Sequence, residues 1–165
     1  MIYIITTGGT IGGLDYQNPN EKPKHEPSVV EHILKAANVS FNYEISSLFK
    51  KDSRFIIVKD RNLLSEKIKS SSTDKILITH GTITMVETAK FLAQEHLGKT
   101  IILTGAFISG TNVRSDAPFN LGFAISIIGR LSAGVYIAMN GKIFDWDNVR
   151  KNPQNKRFET LPRKS

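Results

Sequence analysis

The chain opens on an apolar run, Ile2-Tyr3-Ile4-Ile5, whose β-branched and aromatic residues predict a buried strand. Comparable runs stand at residues 75–79, 100–103 and 134–139. None of these three alternates between apolar and polar, the pattern of parallel strands covered on both faces. Residues 41–49 do alternate, with Phe41, Tyr43 and Ile45 on one side, and predict a strand second in order. Helical stripes lie between the strands. Val29, Val30, Ile33, Leu34 and Ala37 follow Pro27 and Ser28, with Glu31 three residues after Ser28 as in a capping box. Leu63, Leu64, Lys67 and Ile68 predict a helix that stops at Ser70-Ser71-Ser72, and residues 55–58 before it read as strand or loop. Residues 85–97 predict a helix with Met85, Thr88, Ala89, Leu92 and Ala93 on one face, ended by Gly98. Residues 118–129 predict another, with Pro118 in its first turn. Asn140-Gly141 stands between two apolar runs, the strongest short signal for a β-hairpin.

This alternation predicts the α/β class: a three-layer, open, mostly parallel sheet with helices on both faces and a C-terminal β-hairpin. Residues 1–150 read as one α/β domain and residues 151–165 as a basic polar tail. Residues 14–27 are polar and carry three prolines, which predicts a long loop of the lid or disordered kind. Residues 145–165 read as an open polar stretch.

Composition narrows the function classes. The 165 residues suffice for one core. The net charge of +7 would suit a nucleic-acid partner. However, Arg150, Lys151, Lys156, Arg157, Arg163 and Lys164 face only Glu159 near the end of the chain, so much of the excess is a solvated tail. With no cysteine, disulfides and cysteine metal sites are excluded, and four scattered histidines offer no zinc spacing, so neither metal nor cofactor is expected. No apolar run approaches the ~18 residues of a membrane span, and no secretory leader is evident, so a cytoplasmic location is expected.

The chemistry-bearing residues gather at two strand ends. The first strand runs into Thr6-Thr7-Gly8-Gly9-Thr10-Ile11-Gly12-Gly13 and the third into His80-Gly81-Thr82-Ile83-Thr84. In an open α/β sheet ligands bind at such carboxyl ends. Threonine is a poor nucleophile until a neighbour takes its proton, and a lysine whose pKa is lowered by desolvation is able to do so. The glycine spacing is not G-x-G-x-x-G and no G-K-[ST] occurs, which argues against nucleotide binding.

These segments resemble the bacterial-type L-asparaginase family. Thr7-Gly8-Gly9-Thr10-Ile11 is similar to its first signature. His80-Gly81-Thr82-Ile83-Thr84-Met85, continued by Glu87-Thr88-Ala89, is similar to its second, which reads His-Gly-Thr-Asp-Thr-Met. Leu103-Thr104-Gly105-Ala106, the segment from Ser115 to Leu121, and Lys50-Lys51-Asp52-Ser53 add support. The likeness runs from residue 1 to about 158 and covers the family's N-terminal domain only, as in a short, single-domain form. It implies hydrolysis of the side-chain amide of asparagine, or a related small amide, through a threonine acyl-enzyme. Thr10 would be the nucleophile, Tyr16 would polarise it, Thr82 would be the second catalytic threonine and Lys151 the family's lysine. Ser53 would hold the substrate carboxylate, with Gly9, Gly81 and position 83 lining the same site. Backbone amides of the third-strand turn would stabilise the oxyanion. The expected partner is a small-molecule amide, with a homo-oligomer implied by analogy to full-length relatives and with neither membrane nor nucleic acid involved.

One position departs from the pattern. The resemblance implies an aspartate at position 83, pairing with the lysine and binding the substrate's α-ammonium. Ile83 can do neither. Three explanations stand open. Asp15, Asp52 or Asp116 substitutes from nearby; the substrate lacks an α-ammonium; or the domain is degenerate and binds a small amide or amino acid without turnover. Asp116 also suits a structural role before Pro118.

Overall fold

Parallel strands need crossovers, and this chain supplies them with helices. The computed structural model describes residues 1–13 and 28–162. Its main sheet comprises β1 (Ile2–Gly8), β2 (Tyr43–Lys51), β3 (Lys75–Thr79), β4 (Thr100–Thr104), β5 (Gly134–Met139) and β6 (Lys142–Asp145), in the order β2-β1-β3-β4-β5-β6. Strands β1 to β5 are parallel, and β6 pairs antiparallel with β5.

Alternate side chains along each strand feed two cores. Tyr3, Ile5, Ile76, Ile78, Ile101 and Leu103 meet α2 (Val58–Lys69) and α3 (Met85–Gln94) on one face. Ile2, Ile4, Leu77 and Ile102 meet α1 (Val29–Ala36) and α4 (Ala117–Ile128) on the other. This is the expected three-layer arrangement. Each fully buried leucine or isoleucine contributes about 1.5–3 kcal/mol, so the two cores hold the strand ends rigidly. Among the described residues no helix is long and apolar enough to cross a membrane.

Local signals set several boundaries. Ser28 accepts a hydrogen bond from Glu31 N at 3.1 Å and caps α1. Asn140 (φ 55°) and Gly141 (φ 73°) turn the hairpin in the left-handed region, and Met139 pairs with Lys142. Other expectations need correction. The strand predicted over residues 41–49 runs instead from Tyr43 through Lys51, and a turn follows from Asp52. Helix α2 starts at Val58, well before the apolar stripe, because the Asp60 carboxylate reaches back to Ile57 N at 3.0 Å. Helix α3 stops at Gln94, and His96 turns out of it at φ 47°. The expected open stretch 145–165 instead carries an antiparallel pair, β7 (Arg150–Asn152) and β8 (Arg157–Glu159), pinned to the core by buried Val149 and Phe158.

Candidate active site

The strand order reverses beside β1. The chain leaves β1 for β2 on one side and returns to β3 on the other, which opens a crevice at the carboxyl ends of β1 and β3. The two glycine turns meet there. A Cβ added to Gly9 would lie 2.5 Å from Gly81 N and 2.6 Å from Gly81 Cα, so the backbones touch. A Cβ on Gly81 would lie 2.6 Å from Ser53 Oγ. Only glycine permits this approach. Ser53 is buried, and its carbonyl accepts from Thr84 Oγ1 at 2.7 Å. The ends of β1, β2 and β3 thus close on one point.

Lys151 enters this point from β7. Its Nζ donates to Thr82 Oγ1 at 2.9 Å, across 69 residues of sequence. Thr82 is buried. Lys151 Nζ also stands 5.4 Å from the centre of the Phe107 ring. Burial pushes the lysine's pKa below its ordinary value, and among the described residues no acidic side chain pairs with it. The lowered pKa raises the share of neutral amine, the form that is a base beside a hydroxyl.

His80 lies under the same turn and is fully buried. Its Nδ1 is 2.8 Å from Gly81 O, which makes Nδ1 the protonated nitrogen of the neutral ring. Burial holds its pKa down to about 4, reinforced by the Arg61 charge and opposed by the Gly81 carbonyl. His80 Nε2 and Thr79 Oγ1 are both buried without a hydrogen-bond partner among the described residues.

Residues 1–161 of the chain match the family described as Asparaginase, N-terminal. The chain belongs to the asparaginase family. It is 32% identical to the glutaminase-asparaginase of Acinetobacter glutaminasificans over 162 residues, covering 91% of this chain and 49% of that protein. It is 30% identical to L-asparaginase 2 of Bacillus subtilis over 155 residues, covering 86% of this chain and 41% of the relative. The structure titled probable cytoplasmic L-asparaginase from Campylobacter jejuni superposes with a TM-score of 0.71 at 29% identity, over 91% of this chain and 47% of that one. This asparaginase-family chain spans about half the length of the relatives it matches.

The asparaginase signature residues fall as follows. Thr10 is partly buried and opens a short 3-10 turn, Thr10–Gly12; its carbonyl accepts from Gly110 N at 3.0 Å, which docks the loop after β4 onto it. Gly9, Ser53, Gly81, Thr82 and Lys151 come together, while Ile83 stands 48% exposed next to Thr82. Tyr16 and Asp15 lie outside the described residues. Neither Asp52 nor Asp116 is a free carboxylate. Asp52 accepts from Arg54 N at 2.9 Å and Arg54 Nε at 2.7 Å. Asp116 accepts from Phe107 N, Ile108 N and Asn120 Nδ2; it does not cap α4 but closes the loop of residues 107–116. Among the described residues no group of three His, Cys, Asp or Glu could hold a metal ion.

Two residues near the site escape sequence reasoning. Asn120 is fully buried; its Nδ2 donates to Gly105 O at 3.0 Å and its Oδ1 accepts from Asn140 N at 3.0 Å. Asn140 Oδ1 in turn accepts from Phe158 N at 3.1 Å, and Phe158 is the cross-strand partner of Lys151. This chain of amides ties the lysine's hairpin to the sheet. The available signal was a lone asparagine inside an apolar helix. Phe107, under Lys151, carries none. A groove of about 620 Å³ between α4, β6 and β8 holds none of Gly9, Thr10, Ser53, Gly81, Thr82 or Lys151 and is lined by Asp116, Phe119, Asn120, Lys142 and Phe158 among others.

Proposed function

We propose that this chain hydrolyses a small side-chain amide to the acid and ammonia. The observation that carries the reading is the 2.9 Å hydrogen bond from Lys151 to Thr82, made where the turns of Gly9 and Gly81 touch. Neutral Lys151 takes the Thr82 proton, and Thr82 takes one from the attacking oxygen. Thr10 Oγ1, by its place in the first signature, attacks the amide carbon. The C–N bond breaks, the leaving nitrogen departs protonated as ammonia, and water then cleaves the Thr10 ester to release the acid. Tyr16 polarises the nucleophile and Ser53 receives the substrate carboxylate. Backbone amides of the turn after β3 face the oxyanion. The names of the relatives, asparaginase and glutaminase-asparaginase, support asparagine as the substrate to try first.

The test is ammonia release by the purified protein from asparagine, glutamine and simple aliphatic amides, with Thr10→Val as the comparison. Release that Thr10→Val abolishes supports the reading, and no release from any amide refutes it. Ile83 favours one second reading, binding without turnover, which the same samples detect as calorimetric binding with no ammonia. A cytoplasmic location is supported by the likeness to the Campylobacter structure, and a homo-oligomer by analogy to full-length relatives.

A further inference from the structure

Charge at the carboxyl end of the sheet does not suit an amino acid. Asparagine and glutamine carry an ammonium beside their carboxylate, and an ammonium drawn out of water needs an anion. Among the described residues, the aspartates on the neighbouring segments are committed. Asp52 is held by Arg54, Asp60 by Lys51 Nζ at 2.6 Å and Ile57 N, and Asp116 by Phe107 N, Ile108 N and Asn120. Glu87, on the first turn of α3, is exposed. Next to Thr82 stands Ile83, an aliphatic side chain left 48% exposed. Its exposure means the core does not require it, so a polar residue would be accommodated there. What the described site offers a ligand is hydroxyls, one lysine, the Phe107 ring and an exposed aliphatic group.

On the reading that the site hydrolyses amides, we propose that it takes ω-amides bearing a carboxylate and no neighbouring ammonium, succinamate being the four-carbon case, and that Ile83 sets this preference. The carboxylate accepts from the Ser53 hydroxyl, the role the proposed function gives that residue, and Ile83 meets a methylene in place of an ammonium-bearing carbon.

The test measures kcat/KM for succinamate and asparagine by ammonia release, and calorimetric binding of succinate and aspartate, for wild type, Ile83→Asp and Ile83→Asn. The wild type favours succinamate by about 30-fold or more, the penalty of one unpaired charge in a desolvated site. Ile83→Asp swings the ratio toward asparagine by a similar factor, and the neutral Ile83→Asn does not. A wild type that prefers asparagine, or a ratio unmoved by Ile83→Asp, overturns the proposal. If no amide is hydrolysed, the hydrolytic reading falls by itself and binding decides this one. Succinate bound more tightly than aspartate upholds it, and equal or reversed affinities overturn it.

Discussion

Alanine at Gly9 probes whether the two strand ends are in contact. Gly9 has φ 76° and ψ −176°, a region open essentially to glycine alone. Holding alanine there costs of order 1–3 kcal/mol. Its methyl would also sit 2.5 Å from Gly81 N and 2.6 Å from Gly81 Cα, both backbone atoms that cannot rotate aside. Overpacking of that kind adds about 1–3 kcal/mol. The sum, about 2–6 kcal/mol, is a large part of the 5–15 kcal/mol that stabilises a typical domain. With a urea slope of about 2 kcal/mol per molar, the midpoint falls by roughly 1–3 M. The relief available is separation of the turns, and a 1 Å misplacement of reacting groups costs about 100-fold in rate. Gly12→Ala is the control, since a Cβ there meets nothing within 4 Å among the described residues and its φ lies outside the left-handed region. Its stability stays within about 0.5 kcal/mol of wild type. Urea titration and ammonia release read both variants. A Gly9→Ala protein with the midpoint and rate of Gly12→Ala would refute the contact.

Two further predictions concern buried polar groups. His80 titrates at about 4 when folded and near 6.5 when unfolded, so the fold favours the neutral ring. Its contribution is full above pH 6.5 and is lost as pH falls through 4, about 3 kcal/mol in all. Urea titrations across this window show the loss in the wild type and a flatter profile in His80→Asn; equal slopes contradict it. Asn120→Ala strands Gly105 O and Asn140 N and leaves a small cavity, so thermal melts report a loss of about 2–4 kcal/mol. The proposed amide hydrolysis slows with it, because the anchor of the Lys151 hairpin is weakened; unchanged melting excludes the role.

Much of the architecture is local in origin. Strands β3 and β5 have the bounds of their apolar runs, and Asn140-Gly141 makes the turn its backbone preferences demand. Departures occur where a distant or polar contact decides. The first turn of α2 is largely exposed and owes its start to Asp60, so no apolar stripe marks it. The β7–β8 pair is mostly polar, and its place depends on Val149 and Phe158 entering a core assembled elsewhere. The glycine turns were legible as neighbours because strand ends converge in this class of sheet. The partnership of Thr82 with Lys151 joins positions 69 residues apart and has no local pattern. Family resemblance pointed to it, and the packing of the hairpin makes it physical. Asn120 lay hidden because an amide in an apolar stripe reads as an exception until its three partners are seen.

The pH dependence of ammonia release by wild type and Lys151→Met tests the central pairing most directly. A lysine that must be neutral to take the Thr82 proton gives a wild-type kcat/KM that climbs with pH through a pKa below 10.5, as burial dictates. Lys151→Met then loses about 100-fold or more in rate and the pH-dependent rise with it. A methionine variant that keeps both the rate and the profile would contradict the account.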